Sequence, residues 1–223
     1  MELVTVMRTT FAAREFLDEP VSDEQLFRIL DTARFAPSGG NRQGWRVIVV
    51  KDPDKRAKLR ELIVPTFKRY IAQVKLGESP WNTITPTKVT SEQVEAARLP
   101  QGFVDRITEA PVVLLVFVDL RVVASMDQYL DRVGVISGAS IYPFVWNILL
   151  AARNEGLGGT LTTFAAAREP ELQEIFGVPS YMAACAMLPI GKPKKQLTKL
   201  SRKPVQEFTT IDDFTGPVLE PGS

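Results

Sequence analysis

The chain has 223 residues, with 27 basic side chains against 26 acidic ones, one cysteine and no histidine. That length suits one domain with a sizeable core, and the near-cancelling charge leaves no net pull toward nucleic acid or an anionic membrane. Without histidine there is no Ser-His-Asp or Cys-His nucleophile, no histidine base and no basis for most zinc or non-haem iron sites, so hard chemistry would fall to an organic cofactor.

Residues 2–7 predict a short helix, and Arg8–Pro20 reads as mostly extended. Ser22 with Gln25 three positions later is a capping-box pattern. Leu26, Ile29, Leu30 and Ala33 then follow the spacing of a core-facing helical stripe. The stretch Ala36–Trp45 follows. Pro37 ends the helix, Gly39 and Gly40 free the backbone to turn, and Ser38, Asn41 and Gln43 offer short groups that donate and accept. The window fits either a polar helix-to-strand connection or a loop built to meet a flat heteroaromatic ligand.

Trp45–Val50 is a β-branched run of strand length. Asp52 and Pro53 open a second long helix carrying Leu59, Leu62 and Ile63, which Pro65 is expected to kink or interrupt. Residues 76–100 are broken by Gly77, Pro80, Pro86 and Pro100, with Trp81 among polar neighbours. This insert is either a lid or specificity loop or a plain surface excursion. A short helix at 101–109 leads to Pro111–Val118, an apolar run expected to be a strand buried on both faces.

Val133–Ala152 holds twenty residues without a charge. Pro143, Asn147, two serines and two glycines argue against a membrane span. The expectation is a helix buried on all sides, part of it against a second copy of the chain. Gly156-Leu157-Gly158-Gly159 closes that helix and does not open one, so it is read as a left-handed cap at Gly156 and not as a phosphate loop. A strand is expected over Thr160–Phe164, then a helix between Pro170 and Gly177, then a strand over Tyr181–Ile190. Cys185 lies in that last strand among small apolar residues and reads as a buried hydrophobe, not a reactive thiol. The C-terminal thirty residues show no clear helix. Their basic cluster, which includes Arg202 and Lys203, is either a solvated face or a phosphate contact. Four strands alternating with helices predict a mixed sheet with helices packed on it. The N-terminus lacks the pattern of a signal peptide, and the expected compartment is the cytoplasm.

In order and spacing, the chain resembles the FMN-dependent nitroreductase family. The resemblance rests on Arg14-Glu15-Phe16, Pro20-Val21, the loop at 36–45, Asn147–Arg153, Gly156–Gly159, Gly191-Lys192-Pro193 and Arg202-Lys203-Pro204. It implies one α+β domain over 1–223, with residues 194–223 as an extended arm exchanged in an entwined homodimer. It implies FMN at each of two interface sites, and NADH or NADPH as hydride donor to a small-molecule substrate, with neither nucleic acid nor membrane as partner. By the same resemblance Pro37, Ser38, Gly39 and Asn41 of one subunit meet the flavin. Arg14 and Leu161, Thr162 and Thr163 come from the other, and Arg202 and Lys203 meet the phosphate. No side chain is implied as catalytic, since the flavin carries the chemistry.

The chain departs from the family pattern at Thr10–Ala13, where an arginine and a serine are usual, so one phosphate cation is missing and Arg8 is the candidate substitute. Gly44 stands where proline is usual and Trp146 where glutamine is frequent. The implied activity is ping-pong reduction of nitroaromatics, quinones or similar electron-poor molecules. The alternatives on the same fold are dehalogenation, enone reduction, desaturation, a flavin-binding protein with little turnover, or a dimer that has lost FMN.

Overall fold

The computed structural model describes Met1–Gly222. Its centre is a four-stranded sheet in the order β1-β2-β4-β3, formed by β1 (Trp45–Val49), β2 (Val112–Asp119), β3 (Gly158–Gly159) and β4 (Met182–Gly191). All three strand pairs are antiparallel. Beyond β3 the N-terminal segment adds a parallel bridge from Ala12 to Gly159, which makes the sheet mixed.

β2 shows why its sequence is an unbroken apolar run. Val112, Leu114, Val116 and Val118 point into one core, and Val113, Leu115 and Phe117 into the other. The first core is closed by α2 (Asp23–Ala33) and α6 (Tyr142–Asn154), the second by α3 (Pro53–Lys75), α5 (Phe103–Thr108) and α7 (Glu169–Phe176), while α1 (Leu3–Thr9) lies against α6 and the short α4 (Ser91–Glu95) against α3. A strand buried on both faces gains nothing from alternation, and each such side chain contributes about 1.5–3 kcal/mol by leaving water. Where β2 meets β4 the register slips: Val116 faces Ala186 and Phe117 faces Ala184, leaving Cys185 as the unpaired extra residue. Its thiol is buried, and that burial pushes its pKa up to about 12.

The helix signals act largely as expected. The Ser22 hydroxyl accepts from the Gln25 N–H at 3.1 Å, but the Gln25 amide donates to the Glu155 carbonyl at 3.3 Å and does not turn back to its own helix. Only half of the capping box forms, and the other half tethers α2 to the end of α6. After α6, Gly156 is left-handed at φ 81°. Its N–H reaches the Arg153 carbonyl and the Leu157 N–H reaches that of Ala152, which satisfies two carbonyls that a helix end leaves open. Asp52 caps α3 through the Lys55 N–H, and Gly177 ends α7 at φ 64°.

Three expectations are corrected. α3 runs unbroken through Pro65, because Pro65 and the residue four positions before it, Glu61, both lie on the solvent side, where water can satisfy the carbonyl the proline leaves free. The uncharged run 133–152 is not one helix. It is an exposed loop, a 3₁₀ turn at Ile136–Ser140, and then α6, whose start at Tyr142 places Pro143 in its first turn, where proline is tolerated. Within one chain α6 is not buried all round, since Tyr142 and Trp146 are each 43% exposed. The strand expected over Thr160–Phe164 is displaced. Pairing occurs at Gly158–Gly159, Thr162 makes an isolated bridge to Met187, and Phe164 already begins a 3₁₀ turn. Closeness selects the glycines, because a Cβ on Gly159 would lie 2.7 Å from the Pro189 carbonyl oxygen. None of the described helices is long and apolar enough to cross a membrane.

The arm beginning at residue 194 first lies on its own chain. The Lys194 N–H donates to the Glu15 carbonyl and the Gln196 amide to that of Thr9. Beyond Thr198 it is mostly exposed, with Val205, Phe208 and Phe214 uncovered, the last of them 98% exposed.

Candidate functional site

The structure sorts the residues expected at the site into separate groups. Arg14, Leu161, Thr162 and Thr163 line one cavity of about 890 Å³. Pro37, Ser38, Gly39 and Asn41 are not on its wall, and Arg202 and Lys203 sit on the exposed arm.

The cavity is built where α3 faces the segment after β3. Phe67 and Tyr70, one helical turn apart on α3, meet Phe164 edge-on at 4.9 Å and 5.7 Å. Phe103 of α5 stacks on Phe67 at 4.4 Å. These rings and Ile107 make an apolar wall, and Leu161–Thr163 also lines the cavity on its way from β3 to the 3₁₀ turn. The aromatics were not singled out from the sequence as site residues. The signal was available in the i, i+3 pair Phe67 and Tyr70, but it is indistinguishable there from a core stripe.

Arg14 enters this apolar setting by a specific route. Thr10 is buried, its hydroxyl donating to the Val6 carbonyl, and Ala13 is buried with its N–H on the Gly159 carbonyl. The side chain of Ala13 packs toward Gly158, where an added Cβ would come within 3.1 Å. A longer cationic side chain at Ala13 would have to be buried against β3, whereas Ala12 beside it is exposed, so packing accounts for the lack of a cation at Ala13 alone. Arg14 emerges after it. Its guanidinium makes one hydrogen bond, to the Ala12 carbonyl at 3.3 Å, and no ion pair among the described residues. Most of its five donors are therefore free for an anionic group.

The 37–41 loop is shaped by hydrogen bonds of its own. Ser38 Oγ accepts from the Gln43 N–H at 3.0 Å, and the Gly39 N–H donates to Ser140 Oγ at 3.2 Å. Gly40, Asn41 and Gln43 all have positive φ, at 61°, 53° and 49°. Asparagine tolerates this conformation, but glutamine seldom adopts it. Two non-glycine residues held there mark a backbone that its surroundings over-determine, as binding loops often are. The loop is tied to the sheet by the Asp119 N–H on the Gly44 carbonyl, and Trp45 stacks on Phe144 of α6 at 4.7 Å. A Cβ at Gly44 would lie 2.7 Å from a Val122 methyl, so the valine would have to shift to admit a side chain there.

On the arm, the Arg202 guanidinium donates to the Ser201 carbonyl, and the Lys203 ammonium lies 3.9 Å from a Glu207 carboxylate oxygen. Neither lines the cavity that Arg14 faces. Among the described residues no cluster of carboxylates and cysteine could hold a metal ion.

A mixed sheet covered by α2 and α6 on one face and α3, α5 and α7 on the other, with an arginine-bearing N-terminal strap along β3, makes this an α+β protein of the nitroreductase-like fold. Residues 7–192 match the nitroreductase family, and the chain belongs to it. It is 26% identical over 214 residues to human iodotyrosine deiodinase 1, which covers 93% of this chain and 67% of that protein. The chain thus spans about two thirds of that deiodinase's own length. It is also 26% identical over 228 residues to nitrobenzene nitroreductase of Ectopseudomonas oleovorans, covering 92% and 95% of the two chains. A crystal structure of oxidized iodotyrosine deiodinase bound to FMN and 3-iodo-L-tyrosine superposes with a TM-score of 0.63 at 24% identity, over 92% of this chain and 96% of that one.

Proposed function

We propose that the protein is an FMN-dependent oxidoreductase that passes hydride from NADH or NADPH to a nitroaromatic, quinone or similar electron-poor substrate in a ping-pong cycle, working as a homodimer in the cytoplasm. The observation that carries this reading is the Arg14 guanidinium, free of any carboxylate among the described residues, at the edge of an aromatic-walled cavity of about 890 Å³ beside Leu161–Thr163.

The residues present fit FMN. A planar ring suits the Phe67, Tyr70 and Phe164 wall, and Arg14 can give charge-assisted hydrogen bonds to a phosphate. Pro37, Ser38, Gly39 and Asn41 stand apart from that cavity within one chain, which supports a site completed by the same loop of a second copy. Uncovered apolar side chains point the same way: Tyr142 and Trp146 on α6, and Phe208 and Phe214 on the arm. Folding that arm over a partner would also give Arg202 and Lys203 a route to the phosphate. FMN, when bound, supplies hydride acceptance and donation. The chain's part is to bind and orient the two substrates in turn and to keep water from the transfer. The proton that each hydride reduction also consumes can come from solvent, so no histidine is required of the chain.

The test is anaerobic mixing of the purified holoprotein with NADH or NADPH, followed by a quinone or nitroarene. The expected result is bleaching of the flavin and its return on addition of the acceptor. A bound flavin that stays oxidised refutes the reductase reading and favours a flavin-binding role. Protein that remains colourless with added FMN refutes the cofactor. The match to deiodinases supports a second reading, reductive dehalogenation of a haloarene at the same site. Release of halide on addition of a halophenol to the reduced protein identifies that reaction.

A further inference from the structure

The insert over residues 76–100, open between a lid and a surface excursion in the sequence, proves to be a built wall. Trp81 lines the Arg14 cavity and also borders an outer cleft that contains Arg69. The Arg69 guanidinium lies over the indole at 4.6 Å and lines only the outer cleft, so the ring stands between the two spaces together with Thr66 and Ala167, which line both. Trp81 has φ 56°, a left-handed conformation that a bulky side chain adopts only when its surroundings hold it there.

Those surroundings are on view. The Trp81 N–H donates to Gln73 Oε1 at 3.3 Å, and Gln73 is a buried α3 residue. Glu78 closes the loop behind it, accepting from the Thr87 hydroxyl and the Lys88 N–H, each at 2.6 Å. Asn82 Oδ1 accepts from the Ile84 and Thr85 N–H groups, fixing the turn that follows. The insert therefore presents one half-exposed indole at a set place on the cavity wall.

The charge of the cavity is equally definite. Arg14 is its one charged lining residue among those described, and no carboxylate lines it. With Arg14 given to the FMN phosphate, a substrate ammonium brought against this wall would lose its water and meet no side-chain carboxylate, whereas a neutral ring would meet aromatic faces.

We propose that Trp81 is the specificity-determining residue of this cavity, stacking on a planar aromatic substrate, and that the cavity selects aromatic acceptors without an ammonium group over aromatic amino acids. This rests on the functional reading above and deepens it. It separates this chain from relatives named for iodotyrosine, which carries both an ammonium and a carboxylate.

The experiment compares 4-nitrotoluene with 4-nitro-L-phenylalanine, which share the nitroarene and differ by the amino-acid group. Binding to the oxidised holoprotein is measured by equilibrium dialysis, and kcat and KM with the reduced nicotinamide that bleaches the flavin. Wild type is expected to bind 4-nitrotoluene at least about tenfold more tightly, since an uncompensated charge is costly to bury. Trp81→Ala is expected to weaken that binding about fivefold and to raise KM more than it lowers kcat, while Trp81→Phe restores both, as a stacking role requires. Equal binding of the two ligands, or an affinity for 4-nitrotoluene unchanged in Trp81→Ala, overturns the inference. Because dialysis needs no turnover, a flavin that fails to bleach refutes the reductase reading alone and leaves this comparison to be decided by the binding constants.

Discussion

Gly159→Ala is the sharpest probe of how the site is supported, because one methyl tests the packing of β3, α6 and β4 at once. The added Cβ would lie 2.7 Å from the Pro189 carbonyl oxygen, 2.9 Å from Ile190 Cγ1 and 3.0 Å from Leu149 Cδ2. The leucine tip can rotate away, but the carbonyl cannot. It is part of β4 and accepts from the Thr160 N–H at 3.3 Å, so β3 itself must move. Overpacking of this kind costs about 1–3 kcal/mol, offset by about 0.4–1 kcal/mol because alanine restricts the unfolded chain. The net cost is then at most about 2.6 kcal/mol; for a chain of this size each kcal/mol shifts Tm by about 2–4 °C, so a drop of up to about 10 °C is expected in thermal unfolding followed by circular dichroism. The same movement displaces Leu161–Thr163, so the dissociation constant for FMN, read by fluorescence titration, should rise. Unchanged Tm and FMN affinity would refute the close packing of β3. As a control, Gly156→Ala adds a Cβ with nothing within 4 Å, so its cost comes from the left-handed φ alone.

Two further outcomes follow from titratable groups. The Asp127 carboxylate is held down to about 2, mainly by the Val135 N–H, with Arg132 and Ser125 adding hydrogen bonds. A depressed carboxylate contributes stability that is fully present above its unfolded value of 3.8 and is lost as pH falls through about 2. Asp127→Asn should therefore lower Tm at pH 7 and flatten its fall between pH 4 and 2; parallel acid-unfolding curves for the two proteins would exclude the assignment. Cys185, pushed up to about 12 by burial, leaves about one thiolate in ten thousand at pH 8. Iodoacetamide should label it in denatured protein and not in native protein, as mass spectrometry will show, and equal labelling would mean that β4 opens at the Cys185 bulge.

Much of the molecule was legible because it follows local rules. The Ser22 and Asp52 caps, the left-handed Gly156 and Gly177, and the apolar run Val112–Val118 of β2 each depend on neighbours within a few residues or on burial that composition alone requires. The family resemblance came from the same source, since Ala36–Trp45 and Gly156–Gly159 are runs whose residue types are set by backbone conformation. Tertiary structure decided what depends on distant partners. Nothing local tells whether Pro65 breaks α3, because that depends on which side of the helix faces water. The displacement of β3 onto Gly158–Gly159 comes from the closeness of the Pro189 carbonyl, thirty residues away. The gap at Thr10–Ala13 shows in the sequence as a missing cation, and the packing of Ala13 on Gly158 accounts for that one position. Trp81 was visible as an aromatic in a broken stretch, but its place as a wall is set by Gln73 and Arg69 of α3 and by the Glu78 clasp. A sequence determines its caps and periodicities because those interactions act between near neighbours. Which faces meet, and hence where a cavity opens and what charge it holds, is settled only when the whole chain competes for the same buried space.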